Sequence, residues 1–388
     1  MKSILIVTPS FSIGGTNSSL SAFLSLIDPA KLKVDILAQI IHRGHYRQEF
    51  KNCHILDENV WINERILYGS VLKKIENFIL RGIRRLLFLI GIDVRGLYTR
   101  IGGLIIGTKR YDAVISYQED LSWFISFLPA KKRIAWIRCE YGRYFEIHHH
   151  KDESKVFKKI NTIVCVSNFA KDSFIKYYPD FEKKTMVIHN FMDVNGIKEK
   201  AEENIILHNC FDTTSFTIVS IGRIDRVKQF ELIPLMAKDI KKKTQRPFKW
   251  YIIGGSSGDV ELDSLIRQRI IENSLEETVF LLGEITNVSP YLSRADIFVH
   301  TSKSETFSRV VNEAKVLCVP PVINDYACSG EFVENGVDGI IVNNSAIADT
   351  IVQLMDNPNQ LDNIRCNLHK GCYDNSVMMK QVFGLLNS

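Results

Sequence analysis

The stretch Phe216-Thr-Ile-Val-Ser-Ile-Gly-Arg-Ile-Asp-Arg-Val-Lys228 decides the fold. Residues 216–221 are an apolar, β-branched run, Gly222 ends it, and the polar residues beyond lead into a helix expected to begin near Lys228. A strand that stops at a glycine and passes into a helix is half of a βα unit. The same rhythm recurs outward in both directions. Further strands are expected at 250–253, 279–282, 297–301 and 321–323 on one side, and at 4–8, 34–38, 113–116, 133–137, 162–166 and 186–189 on the other. Several, such as Ile163-Val164-Cys165-Val166, are apolar on both faces, which calls for parallel strands covered by helices on each side.

A polar stretch, 196–214, with Lys198, Glu199, Lys200, Glu202 and Glu203, interrupts the rhythm and reads as a linker. The expected architecture is therefore α/β, with two doubly wound, Rossmann-like domains at 1–195 and 215–370 facing a central cleft. The chain has 388 residues, 45% hydrophobic and 24% charged, enough for two packed cores and unlike a disordered or collagenous sequence. A net charge of +5 over that length, with no recognition module, argues against a nucleic acid partner. The opening MKSILIVTPS lacks a small-residue cleavage site and reads as a first strand rather than a secretory signal. No apolar window approaches a membrane span.

Eight scattered cysteines, none in a CxxC pair, read as buried thiols of a cytoplasmic protein. The run His148-His149-His150 has no Cys or carboxylate at ligand spacing and reads as a solvated loop, so no metal site is expected. Residues 65–110 break the βα rhythm and read as one or two helices. This segment carries ten basic residues against only Glu76 and Asp93, interleaved with Leu72, Ile75, Phe78, Ile79 and Leu86 to Leu89. A basic amphipathic helix suits an anionic membrane surface, and also describes a core helix with a solvated basic face.

Two stretches carry chemistry. The glycine turn after residue 221 offers amides to an anion, with Arg223 and Lys228 as added cations; surface cations at a βα turn look the same. In the second, His300 to Glu313, a strand ends, a loop carries Glu305, and a helix start puts free amides near Thr306, Phe307 and Ser308, with Glu313 two turns on. Carboxylates accept well from sugar hydroxyls, so cations, carboxylates and helix starts together describe a site for a polyhydroxylated diphosphate. Taken singly, Glu305 is also a plain loop acid and Glu313 a helix surface acid. No G-x-G-x-x-G follows the first strand, which argues against a dinucleotide oxidoreductase.

These residues resemble the GT-B glycosyltransferases, specifically the retaining glycosyltransferase family 4 (group 1) type. The resemblance runs through Gly222, Arg223 and Lys228, then Ile253-Gly254-Gly255, Leu282-Gly283-Glu284, Ala295 to Val299 and the pair Glu305 and Glu313, and on to Gly339 to Val342. In the first half Gly14-Gly15-Thr16 resembles the family's glycine-rich loop and Val187 to Asn190 the strand before the interdomain crossing. Arg138 stands where many members have a histidine that contacts the transferred sugar, followed here by Glu140. Thr306 and Ser308 stand where the family has glycines, and Gln229 replaces another glycine, a change expected to matter little.

The resemblance implies a GT-B fold whose C-terminal helix, 371–388, crosses back to the N-terminal, acceptor-binding domain. Arg223 and Lys228 would neutralise a donor diphosphate, and amides at Gly15, Thr16, Gly222 and Thr306 to Ser308 would bind its oxygens. Glu313 would accept from the ribose, Glu305 would face the donor sugar, and Gly283 and Glu284 would lie beside the base. Catalysis is thereby assigned to Glu305, Arg223 and Lys228, and substrate contacts to Arg138, Glu140 and Asn190.

The implied activity is a hexosyltransferase: transfer from a nucleotide-diphosphate sugar of the UDP-sugar kind, as co-substrate and with no other cofactor. The acceptor would be a saccharide or lipid-linked saccharide in surface polysaccharide synthesis, reached by a peripheral protein on the inner face of the membrane. No Asp-x-Asp metal motif occurs, so the reaction is expected to be metal-independent, with retention by front-face attack. A sugar-nucleotide 2-epimerase of the same fold and a non-catalytic sugar-nucleotide-binding subunit are the alternatives.

Overall fold

The computed structural model describes residues 1–388 apart from 13, 42–45, 57–62, 68–69, 148–152, 204–207, 209, 213, 372 and 388. The histidine run 148–150 and Cys372 thus lie outside the described residues. The chain divides into two units, Met1–Asp193 with Asn375–Ser388, and Val194–Asp374.

The first unit contains strands β1 (Lys2–Thr8), β2 (Leu32–Ala38), β3 (Ile40–Ile41), β4 (His54–Ile55), β5 (Arg65–Ile66), β6 (Ala113–Ser116), β7 (Arg133–Ile137), β8 (Thr162–Cys165) and β9 (Thr185–Val187). Seven of them form a sheet ordered β4-β2-β1-β6-β7-β8-β9, parallel throughout, and β3 pairs with β5 in a ribbon of two. Ile4, Leu5, Ile6 and Val7 of β1 are all fully buried, as a strand covered on both faces must be. The C-terminal helix Ser376–Asn387 belongs to this unit, where Gln381 donates to the Val187 carbonyl at 3.2 Å.

The second unit contains β10 (Phe216–Ile221), β11 (Phe248–Ile253), β12 (Val279–Gly283), β13 (Ile297–His300), β14 (Pro321–Asn324) and β15 (Ile340–Val342), in one parallel sheet ordered β12-β11-β10-β13-β14-β15. Its core is Ile218, Trp250, Ile252, Ile297 and Val299 under helices that contribute Ile240, Ile266 and Ile351. The chain runs outward one way from β10 to β12, then returns to β13 and runs out the other way. The β10/β13 boundary is therefore the topological switch point, where the loops after two neighbouring strands part and leave a crevice.

Three features differ from the sequence expectation. The helix expected near Lys228 begins at Ile233, with Pro234 in its first turn, after a short 3-10 segment, because Gln229 sits in the left-handed region at φ 54° and stops any earlier start. The 196–214 stretch contains a helix, Val194–Glu202, whose Ile197 and Ala201 are buried, so its weak apolar rhythm still supplies one packed edge. In the basic segment the helices are Val71–Leu89 and Arg95–Ile105, and the longer one turns its polar side inward. Asn77, at the middle of that side, is buried, accepts from the Ile66 amide at 3.2 Å and donates to the Asn63 carbonyl at 3.0 Å. The hydrophobic stripe is left facing out.

Candidate functional site

In the second unit the loop after β10 and the loop after β13 meet at the switch point. Lys228 Nζ lies 2.5 Å from Glu305 Oε1, and the two side chains are only 19% and 14% exposed. The backbone holds this approach. Asp225 Oδ1 accepts from the Val227 and Lys228 amides, Thr301 Oγ1 donates to the Lys228 carbonyl at 2.6 Å, and the Lys303 amide donates to the Val227 carbonyl at 2.9 Å. The two loops are thus stitched together by their own hydrogen bonds.

His300, the last residue of β13, is fully buried beneath the pair. Its Nε2 lies 3.2 Å from Glu305 Oε1 and 3.3 Å from Ser308 Oγ, while its buried Nδ1 has no hydrogen-bond partner. Burial pushes the imidazole below its ordinary pKa and outweighs the opposing pull of Glu305. A neutral ring with the proton on Nε2 fits that environment, donating to the carboxylate. Burial alone would push Glu305 up, but the His300 hydrogen bond and the Lys228 charge prevail and hold it at about 2. Both contacts fall on Oε1, so Oε2 is the oxygen turned away from them. Cys328, a thiol pushed up to about 12 chiefly by burial, donates to the Glu305 carbonyl at 2.9 Å.

A pocket of about 260 Å³ opens beside this cluster, at the carboxyl ends of β10, β11 and β12. Its walls are Ile221, Ile253, Ile285 and Val288, with Gly222, Arg223, Gly254, Gly255, Ser256 and Glu284 as the polar and backbone lining. An apolar slot with a few convergent polar groups is what a planar ring attached to a charged tail requires. The floor depends on glycine. A side chain at Gly254 would put its Cβ 1.8 Å from the Gly222 carbonyl oxygen, and Gly283 has φ 74°, left-handed backbone that favours glycine. Gly222 is crossed by the Lys228 stem, since a Cβ there would meet Lys228 Cε at 3.3 Å.

The other residues of the second unit are placed less tightly. Arg223 is 71% exposed and pairs with Asp225 at 3.2 Å on the pocket rim. Glu313 pairs with Arg309 one turn away, 3.3 Å apart. The helix expected to start at 306–308 starts at Arg309, with Ser308 as its N-cap; the Ser308 hydroxyl turns to His300 and leaves the first-turn amides without a side-chain cap. Phe307 is buried against Phe332.

In the first unit Gly15 opens the helix Gly15–Ser25 and Thr16 follows, after the β1 turn. Arg138, at the end of β7, donates from Nη1 to Asn190 Oδ1 at 2.5 Å and from Nε to the Tyr117 carbonyl at 2.8 Å, and its guanidinium lies 3.9 Å over the Tyr117 ring. Asn190 Oδ1 also accepts from Ser19 Oγ at 3.1 Å. The structure thus joins Arg138 and Asn190 in one network, while the Glu140 carbonyl starts the helix Tyr141–Ile147. Glu119, missed in the sequence, is buried and accepts from the Arg138 amide at 2.9 Å; burial pushes its carboxyl up. His300 and Tyr117 were also missed. A histidine ending an apolar strand two residues before a serine and five before Glu305 is the one available signal.

Among the described residues no group of three or more His, Cys, Asp or Glu side chains could hold a metal ion, and no helix is long and apolar enough to cross a membrane. The seven described cysteines are free thiols.

The family described as glycosyl transferases group 1 matches residues 202–370. A Campylobacter jejuni protein named N-acetylgalactosamine-N,N'-diacetylbacillosaminyl-diphospho-undecaprenol 4-alpha-N-acetylgalactosaminyltransferase is 30% identical over 173 residues, 45% of this chain and 44% of its own. An uncharacterized glycosyltransferase of Methanocaldococcus jannaschii is 27% identical over 245 residues, 57% of each chain. The chain thus spans about half the length of the curated relatives it matches. Among solved structures, Anabaena HepE in complex with UDP and glucose superposes with a TM-score of 0.73 at 15% identity, covering 100% of both chains. With its two parallel doubly wound sheets, the chain has the GT-B fold, and its residues 202–370 match the group 1 glycosyl transferase model.

Proposed function

We propose that the protein is a retaining, metal-independent glycosyltransferase that moves a hexosyl group from a UDP-sugar to a saccharide or lipid-linked saccharide presented at an anionic membrane surface. The observation that carries this is the largely desolvated Lys228–Glu305 pair at the switch point beside an apolar pocket with polar ends. The pocket takes the base, and Lys228 and Arg223 take the diphosphate. An ammonium has three donors, so Lys228 can keep Glu305 and still reach a phosphate oxygen. As the glycosidic bond breaks, charge builds on the departing diphosphate, and these two cations with the N-terminal end of the helix Arg309–Val316 lower the barrier without a metal. Glu305 Oε2 accepts from a donor-sugar hydroxyl, and Glu313 from the ribose. HepE is described with UDP and with glucose, and the Campylobacter relative is named for a diphospho-undecaprenol acceptor, which supports the donor and acceptor classes.

The test is calorimetric titration with UDP and a panel of UDP-hexoses, then transfer in excess EDTA with the product's anomeric coupling read by NMR. Binding of UDP with activity retained in EDTA and an unchanged anomer is expected. An inverted product or abolition by EDTA overturns the mechanism. A 2-epimer formed from donor alone overturns the reaction class.

A further inference from the structure

The helix Val71–Leu89 is amphipathic in an unusual sense: its polar side faces the protein. Leu72, Ile75, Ile79, Ile83, Leu86 and the following Ile90, spaced three or four apart, form one stripe, and every one of them is exposed, with Phe78 beside them at 74%. The next helix, Arg95–Ile105, adds exposed Leu97, Leu104 and Ile105. The stripe runs about 28 Å, the length of a 19-residue helix. An apolar strip of this size on a water-facing surface needs an occupant.

The cations are arranged around it rather than on it. Arg84 is half-buried with its guanidinium 5.4 Å from the Tyr98 ring, Lys73 pairs with Glu76, and Arg95 pairs with Asp93. Glu76 and Asp93 are the only acids in 65–110, against ten basic residues. A second copy of the chain would set this basic fringe against itself, which opposes self-association. The helix carries too many charges to span a bilayer.

We propose that this stripe is a docking surface for an anionic lipid bilayer: the helix Val71–Leu89 lies in the interface plane, its apolar side chains sunk among the acyl chains and the basic fringe at the headgroups. The inference deepens the membrane reading above and changes its chemistry. Buried apolar area holds the protein, and the arginines set the preference for anionic lipid. Interfacial seating of this kind would bring the first unit to the level at which a lipid-linked saccharide presents its sugar.

The experiment uses the full chain and vesicles of phosphatidylcholine with and without phosphatidylglycerol. A Phe78→Trp variant should shift its emission to the blue on anionic vesicles and be quenched by brominated acyl chains. The triple variant Ile75→Gln, Ile79→Gln, Leu86→Gln should partition about tenfold or more weaker. Its UDP affinity and melting temperature should match the parent. An Arg81→Gln, Arg85→Gln variant should lose only the preference for phosphatidylglycerol. Unchanged Trp emission at saturating vesicles, or a triple variant that sediments with vesicles like the parent, overturns the proposal. So does a lipid-free dimer that the triple variant breaks while vesicles bind neither protein. Vesicle binding without UDP binding would sink the donor assignment and leave this surface standing.

Discussion

Lys228 Nζ and Glu305 Oε1 lie 2.5 Å apart although 76 residues separate them in the chain, and the pair closes the crevice between β10 and β13. Both charges are largely out of water, so each depends on the other. Lys228→Met leaves a buried carboxylate with His300 as its one remaining described partner. A stability loss of about 3–5 kcal/mol is expected in urea unfolding, as for breaking any buried pair. Transfer should fall by about 100-fold or more, as when one preorganised donor is removed from a transition state. Parent-like stability would place the pair in water.

Acid should unfold the protein partly through the same carboxylate. Glu305 is held at about 2 against its ordinary 4.5, so its contribution is complete above 4.5 and is lost as pH falls toward 2. On the order of 3 kcal/mol is at stake over that window. His300, pushed below its ordinary 6.5 by burial, adds to the loss from 6.5 downward because the unfolded chain takes up its proton first. The Glu305→Gln variant should therefore show a shallower fall in stability than the parent between pH 4.5 and 2, measured by urea titration at each pH. Identical slopes would remove Glu305 from the acid response.

His300 should act by positioning Glu305. In His300→Leu the carboxylate keeps Lys228 but loses its second described donor, so kcat is expected to drop by about tenfold while KM for the donor stays nearly constant. His300→Gln, with an amide donor of similar reach, should restore most of it. Equal effects of both variants on KM would show that the ring matters only for packing.

Gly254 is fixed by a clash and by its φ of 157°, a backbone conformation that side chains rarely adopt. Gly254→Ala would drive a methyl into the Gly222 carbonyl 1.8 Å away, so UDP affinity should fall with a loss of several kcal/mol in stability. Gly255→Ala meets only the Glu284 side chain, most closely its Oε2 at 3.2 Å, and should be milder. Calorimetry and melting curves on the two variants separate a local collision from general glycine intolerance.

Gln229 carries a backbone cost. It holds φ 54°, where a side chain is disfavoured by about 1–2 kcal/mol, and its Oε1 accepts from Asn344 Nδ2 at 3.1 Å. Gln229→Gly should therefore raise the melting temperature slightly, the relief of strain exceeding the lost hydrogen bond. A lower melting temperature would show that the Asn344 contact dominates.

Much of this molecule is written locally. Ile163 to Val166 are apolar on both faces, and a residue's neighbours in a strand suffice to say that both faces are covered, so parallel α/β units follow from the chain alone. The order of Gly222, Lys228, Glu305 and Glu313 likewise pointed to one half of the molecule. Three things needed the fold. The pairing of Lys228 with Glu305 depends on β10 lying beside β13, which no spacing along the chain encodes. The role of His300 depends on what surrounds the end of β13. And the periodicity of residues 71–90 defines two faces but not which one is inward. That choice fell to Asn77, whose side chain meets both a buried amide and a buried carbonyl that the sequence could not place beside it. Helical period is set within a turn, whereas orientation is set by the polar groups that packing would otherwise leave unsatisfied.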